Sequence, residues 1–282
     1  MRILILSQYF WPEQFRINDL ALGLKERGHE VEVLTGKPNY GKTSFYDHYS
    51  FWGNSQETWN GIKINRSKLI PRQSGRNINL FFNYISFLFF AAIKASFIKA
   101  KYDKIFVFAP SPITSAIPGI ILKRRQRIPL YLWVQDLWPE SVTATTNIKN
   151  KVIISSLDSI TRWIYKNSDR ILIQSEAFKP SIIKHGGNAD SIVYYPNSVE
   201  SLYQVLQPQE RYLSKLPAGF KIMFAGNIGE AQDFDTLLQA TCLSKRLNND
   251  IKWIILGDRR KKKHVEEKIE EYSRPTVFFW LG

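Results

Sequence analysis

With one cysteine in 282 residues, Cys242, the chain can form no internal disulfide, and its four scattered histidines have no cysteine neighbours to complete a structural zinc site. A reducing compartment and no bound metal are therefore expected. Acids are scarce, 25 against 39 bases, and the net charge of +14 calls for an anionic partner: nucleic acid, phospholipid headgroups or a phosphorylated substrate. Residues 1–7 make an apolar run too short for a secretory signal and without a small-residue cleavage site, so they read as a buried strand. The loop that follows lacks the Gly-x-Gly-x-x-Gly turn of a dinucleotide-binding fold, which disfavours an NAD enzyme. No repeat or low-complexity segment is present, nor any helix-turn-helix, zinc-finger or RNA-binding signature, so nucleic acid is not expected as the partner.

What is abundant is local. Between Ile62 and Lys104 lie Lys63, Arg66, Lys68, Arg72, Arg76, Lys94, Lys99, Lys101 and Lys104, with Asp103 the single acid. These bases flank the most apolar run of the chain, the fourteen residues 80–93, shorter than the roughly twenty that a membrane-spanning helix needs. Two readings stand: an aromatic core helix, or a helix lying in a membrane interface and offering Phe82, Phe89 and Phe90 to lipid. Both hold at once if one face packs on a sheet and the other does not.

Strand-like runs alternate with helical patterns, the signature of parallel βαβ units and an α/β fold. Strands are expected at 2–7, 29–35, 104–108, 129–134, 170–174 and 191–195, with a helix after the first loop carrying Ile17, Leu20, Ala21 and Leu24 on one face. A proline-bearing stretch without apolar periodicity separates this block from a second. The expected domains are thus 1–200, a linker at 201–219, and 220–282. In the second block strands are expected at 220–225, 251–256 and 276–280, and helices at 234–247 and 259–272. Three strands make half of an open parallel sheet, so the chain is expected to be C-terminally truncated.

Open α/β sheets bind ligands at the carboxyl ends of their strands. After the first strand, the loop 8–16 supplies Tyr9, Glu13 and Arg16, a lining suited to a sugar ring and a phosphate. The loop 135–141 contains Asp136, Trp138 and Glu140. There Asp136 could orient a sugar hydroxyl, stabilise charge at an anomeric carbon or cap the next helix, and Asp136 with Glu140 could form a carboxylate pair. In the second block Gly226, Asn227, Gly229 and Gln232 form a glycine-bearing loop whose N–H groups could approach a diphosphate. Asp258 opens a loop followed by a basic run that serves either as a solvated helix face or as a nucleotide contact.

Taken together, Tyr9-Phe10-Trp11-Pro12-Glu13, residues 25–31, residues 133–141, Tyr195-Pro196-Asn197 and residues 224–229 resemble glycosyltransferase family 4. The closest likeness is to its bacterial O-antigen and capsule branch, which includes N-acetylfucosamine transferases. The resemblance runs in order along the whole chain. It implies a GT-B architecture of two Rossmann-like domains, an acceptor-binding N-terminal half and a donor-binding C-terminal half. It also implies a retaining, cofactor-free transfer from a UDP-sugar to a polyprenyl-diphosphate-linked saccharide at the cytoplasmic face of the membrane. By that match Asp136 is the catalytic-cleft residue and Tyr9, Glu13, Arg16, Trp138 and Glu140 belong to the acceptor side. Gly226, Asn227, Gly229, Gln232 and Asp258 belong to the donor side.

Many members of that family have His before the Asp, where Gln135 stands, and Arg and Lys where Asn227 and Gln232 stand. Because that His often contacts a sugar 6-hydroxyl, its absence implies a 6-deoxy donor such as UDP-N-acetylfucosamine. The family's paired-glutamate motif is missing, so negligible transferase activity is expected of these 282 residues alone. The alternative is a non-catalytic, membrane-associated binding module.

Overall fold

Period-two burial organises the first half of the chain: Leu4 and Leu6 face one layer of helices while Ile3 and Ile5 face another, as expected of a parallel sheet covered on both sides. The computed structural model describes residues 1–73, 77–146, 150–199, 203–226, 228–229, 232–248, 250–257, 262–272 and 278–280. It divides into two units, Met1–Glu200 and Ser201–Gly282.

In the first unit the strands are β1 (Arg2–Ser7), β2 (Glu30–Gly36), β3 (Gln56–Trp59), β4 (Ile62–Ser67), β5 (Lys104–Ala109), β6 (Leu130–Val134), β7 (Arg170–Ile173) and β8 (Ile192–Tyr194). They form one sheet in the order β3-β4-β2-β1-β5-β6-β7-β8, parallel throughout except for β3 against β4. The helices are α1 (Arg16–Glu26), α2 (Asn77–Phe97), α3 (Ile117–Gln126), α4 (Glu140–Thr145), α5 (Lys151–Lys166) and α6 (Lys179–Lys184). Ile17 and Ala21 of α1 close one sheet face with Ile5, Val33, Ile64 and Trp133. The other face packs Val107, Leu132 and Ile171 against Ala95 of α2, Ile120 of α3 and Ile164 of α5.

Strands β3 and β4 were not expected, although the sequence marks them. Asn60 and Gly61 both have positive φ, 47° and 72°, and join Trp59 to its cross-strand partner Ile62. Asn-Gly is the residue pair that such a two-residue hairpin turn prefers. The basic, weakly apolar composition around it hid the alternation of Ile62 and Ile64.

The apolar run also differs from expectation. Its helix continues beyond the fourteen residues because Lys94 and Ser96 interrupt hydrophobicity but not helical geometry, and residues 78–97 are long and apolar enough to cross a membrane by length and composition. Phe87, Ala91 and Ala95 are nevertheless fully buried in the fold. Ile78, Phe81, Phe82, Ile85, Phe89, Ile93 and Phe97 are exposed, recurring every three or four residues along one face. Phe82 and Phe89 lie on that face, whereas Phe90 is half-buried, with its ring 5.7 Å from Phe51.

The second unit has α7 (Glu210–Leu213), β9 (Phe220–Ala225), α8 (Phe234–Leu247), β10 (Ile251–Leu256), α9 (Lys262–Tyr272) and β11 (Phe278–Trp280). Among the described residues its sheet has three parallel strands in the order β11-β10-β9. Ile228, Phe234, Ile255 and Val265 form its core.

Candidate active site

The carboxyl ends of β1, β2, β4, β5, β6, β7 and β8 bring their following loops to one edge of the first sheet. The loops after β1, β5 and β6 each contain a cis X-Pro bond, at Pro12, Pro112 and Pro139. Asp136 follows β6 and is half-buried. Burial pushes its carboxyl above the ordinary value, against hydrogen bonds from the Ser141 hydroxyl, the Leu137 backbone and the Ser111 hydroxyl. Trp138 is buried beside it and donates its indole N–H to Ser111 Oγ at 3.4 Å. A partly desolvated carboxylate at a strand end can accept or position a proton near neutrality.

Glu140 is not paired with Asp136. Its Oε1 lies 2.9 Å from His185 Nε2 and accepts the Ser181 hydroxyl at 2.7 Å, while His185 Nδ1 meets Asp158. Glu140, Asp158 and His185 line a 480 Å³ pocket, with Lys151, Arg162 and Lys184 at its walls. The carboxylate-pair reading therefore gives way to an acid–imidazole–acid chain that ties three helices together.

Three uncharged amides stand beside Asp136. Asn197 Nδ2 donates to Gln135 Oε1 at 2.9 Å and to Gln174 Oε1 at 2.5 Å, and Gln174 Nε2 donates to the Gln135 carbonyl at 2.8 Å. The Nε2 of Gln135 is buried and makes no hydrogen bond. Gln174 was not singled out in the sequence. Its signal is a polar side chain directly after the apolar run Ile171-Leu172-Ile173, as Gln135 follows the apolar end of β6.

Of the first-loop residues, Tyr9 and Glu13 are interior, each 1% exposed. The Glu13 carboxylate accepts the backbone N–H groups of Asn39 and Tyr40, both at 2.7 Å, and of Phe10 at 3.3 Å. Burial drives its carboxyl up to about 7, opposed by those N–H groups and by Arg66. Glu13 is thus a clamp joining the loops after β1 and β2. Arg16 heads α1 and lines a separate 370 Å³ pocket with Asp19, Arg27, Trp133, Tyr195 and Ser198.

Residues that carry the rest of this edge were missed because polar side chains in a basic stretch read as surface. Gln8 Nε2 donates to Asn83 Oδ1 at 2.7 Å, and Asn83 Nδ2 donates to Asn39 Oδ1 at 3.1 Å and to the Ile70 carbonyl at 2.6 Å. Arg66, 1% exposed, donates to the carbonyls of Gly36 and Trp11 and pairs with Glu57. At Gly36 a Cβ would come within 2.6 Å of Leu69 and 2.8 Å of the Gln8 carbonyl, so the crossing requires glycine.

In the second unit, Gly226 donates its N–H to the Leu256 carbonyl at 2.9 Å, and Gly257 sits so close that a Cβ would meet the Gly226 carbonyl at 2.0 Å. Gln232 accepts the Gly229 N–H at 3.2 Å, which engages one donor that the loop would offer to a diphosphate. Asn227 and Asp258 lie outside the described residues. Among the described residues no group of three acidic, histidine or cysteine side chains is placed to hold a metal ion.

Comparison with known proteins gives one consistent picture. Residues 14–198 match the glycosyl transferase 4-like domain. The chain is 22% identical over 299 residues to WcaI of Escherichia coli (strain K12), a protein named as a glycosyl transferase of colanic acid biosynthesis, covering 99% of this chain and 71% of that one. It superimposes on HepE of Anabaena, solved with UDP and glucose, with a TM-score of 0.65, 14% identity, and coverage of 100% of this chain and 69% of that one. Sucrose-phosphate synthase from Thermosynechococcus elongatus gives a TM-score of 0.69 at 15% identity, over 100% of this chain and 70% of that one. The fold is the α/β GT-B type, and the chain belongs to the glycosyl transferase 4-like family.

Proposed function

We propose that this protein transfers a sugar from a UDP-sugar to a lipid-linked saccharide at a membrane surface, during synthesis of a cell-surface polysaccharide. The observation that carries the reading is the placement, within the matched residues 14–198, of the half-buried Asp136 at the strand-end edge of the sheet. An uncharged amide trio adjoins it. HepE, a neighbour of the same fold, binds UDP and UDP-glucose, which supports a UDP-sugar donor here.

In this reading Asp136 orients the acceptor hydroxyl and stabilises positive charge as the donor's bond to its diphosphate lengthens. The leaving diphosphate accepts the hydroxyl proton, and the acceptor oxygen bonds to the anomeric carbon on the face from which the diphosphate departs, so anomeric configuration is retained. The free Nε2 of Gln135 is a neutral donor toward the sugar and fits a 6-deoxy sugar such as N-acetylfucosamine. The exposed apolar stripe of α2, with Lys68 stacked on the exposed Trp52 nearby in sequence to Phe51, supports a cytoplasmic membrane surface as the working place.

Incubating the full chain with radiolabelled UDP-sugars and bacterial membranes tests this. Label in the organic-extractable lipid fraction, with UDP-N-acetylfucosamine preferred over UDP-glucose, is the result that supports the reading. Absence of transfer with every UDP-sugar, alongside retained membrane binding, would favour a non-catalytic binding module instead.

A further inference from the structure

Arg72 is a cation that has no counter-charge among the described residues. Its Nη2 donates to the hydroxyls of Tyr9 at 2.9 Å and Tyr84 at 3.0 Å. The guanidinium carbon lies 4.7 Å from the ring centre of Tyr40, 5.3 Å from that of Tyr9 and 5.9 Å from that of Tyr84. Its Nε is buried and makes no hydrogen bond. Among the described residues no carboxylate pairs with it. Glu13, the acid of the first loop, directs its oxygens to backbone N–H groups instead.

The four residues come from four segments: Tyr9 after β1, Tyr40 after β2, Arg72 after β4, and Tyr84 on α2. Their meeting point is therefore the ligand-binding edge of the sheet, beside the helix with the exposed apolar face. Each phenol oxygen that accepts from Arg72 still carries its own O–H. Burial keeps Tyr9 protonated far above neutrality. The cluster consequently presents one positive charge and the hydroxyl of the half-buried Tyr84, with the interior Tyr9 behind the guanidinium and, among the described residues, no anion of its own. Leaving a desolvated guanidinium unpaired is costly, and the planar fork of Arg matches phosphate oxygens.

We propose that Arg72 and Tyr84, held from behind by the interior Tyr9, form a subsite for the phosphate carried by the lipid-linked acceptor. This rests on the acceptor reading above, but it concerns binding and requires neither donor nor turnover. The tyrosine rings hold the guanidinium by cation–π attraction until the phosphate arrives. Tyr84 then places the phosphate next to the apolar stripe that α2 offers to the lipid tail.

Calorimetric titration of the full chain with farnesyl diphosphate, farnesol and inorganic pyrophosphate tests the subsite, with UDP titrated in parallel. The expected result is that Arg72→Gln weakens farnesyl diphosphate by about tenfold or more and Tyr84→Phe by about threefold to tenfold. Farnesol and UDP should bind the variants as they bind the parent. Should Arg72→Gln fold poorly, Arg72→Lys and Tyr84→Phe decide, since both keep the volume of the cluster and lose fork or hydroxyl. Farnesyl diphosphate binding within twofold of the parent in the variants that fold overturns the proposal. So does inorganic pyrophosphate binding as tightly as farnesyl diphosphate, which would assign the site to free phosphate. Loss of transferase activity with these titrations intact would fail the functional reading alone.

Discussion

Glu13 accepts the backbone N–H of Tyr40 at 2.7 Å, and together with its bond from the Asn39 N–H this contact fastens the loop after β1 to the loop after β2. With its carboxyl pushed up to about 7 from an ordinary 4.5, Glu13 binds its proton more tightly in the folded chain than in the unfolded one. Its contribution to stability is complete below pH 4.5 and is lost as pH rises through 7, a swing of about 3 kcal/mol. The difference in urea midpoint between the parent and Glu13→Gln should therefore change across that window. A difference that stays constant from pH 4.5 to 7 would contradict it. Glu13→Ala, which leaves three backbone N–H groups without an acceptor, should cost about 3 kcal/mol at pH 5.

Replacing Asp136 by Asn removes a charge that burial disfavours, so stability should be unchanged or slightly raised. Transfer from the UDP-sugar should fall by about 100-fold or more if the carboxylate touches the acceptor. Melting and single-turnover transfer, measured together, separate the two effects. An active Asp136→Asn enzyme would remove Asp136 from the chemistry.

The two sides of α2 should respond oppositely. Phe82→Ser and Phe89→Ser change exposed positions and should leave the melting temperature alone, yet each should weaken binding to phosphatidylglycerol vesicles by about fivefold or more. Phe87→Ala, at a fully buried position, should destabilise the fold by about 3 kcal/mol or more. Flotation of the full chain with vesicles and thermal melting check the contrast. Equal vesicle binding by Phe82→Ser, Phe89→Ser and the parent would exclude this face as the lipid contact.

His185 holds Asp158 below the usual carboxylate range through its hydrogen bond. Burial works against the ionised form of Glu140, and hydrogen bonds from Ser181, its own backbone N–H and His185 together more than offset it. Stability from depressed carboxylates is present above their ordinary values and is lost as pH falls through the folded ones. His185→Ala should raise both folded values, so its acid unfolding should begin at a higher pH than that of the parent. Circular dichroism between pH 6 and 2 is the measurement, and superimposable curves would show that the chain of three side chains carries no stability.

The sequence made the α/β class legible because runs such as residues 2–6 and 104–108 are apolar at almost every position, which only a doubly covered parallel sheet accommodates. The placement of Asp136 was legible for a related reason: an acid two residues after such a strand lies at the strand-end edge of the sheet. Hidden from the sequence were contacts made at long range. Arg72 reads as one base among nine until Tyr9, 63 residues earlier, is seen to accept its N–H. Glu140 reads as a partner of Asp136 until His185, 45 residues later, claims it. Neither pairing has a local spacing to betray it.

The short antiparallel strand β3 makes one border of this sheet a poor place for another chain to add. It runs against its neighbour and is only four residues long, and its Gln56, Glu57 and Thr58 offer a polar outer margin in place of a long apolar one. Strands of that kind make poor templates for the addition of a foreign chain. Self-association by strand pairing is thereby turned away from one border of the first unit, and the opposite border, where Val193 and Tyr194 of β8 stand exposed, is left as the more vulnerable flank.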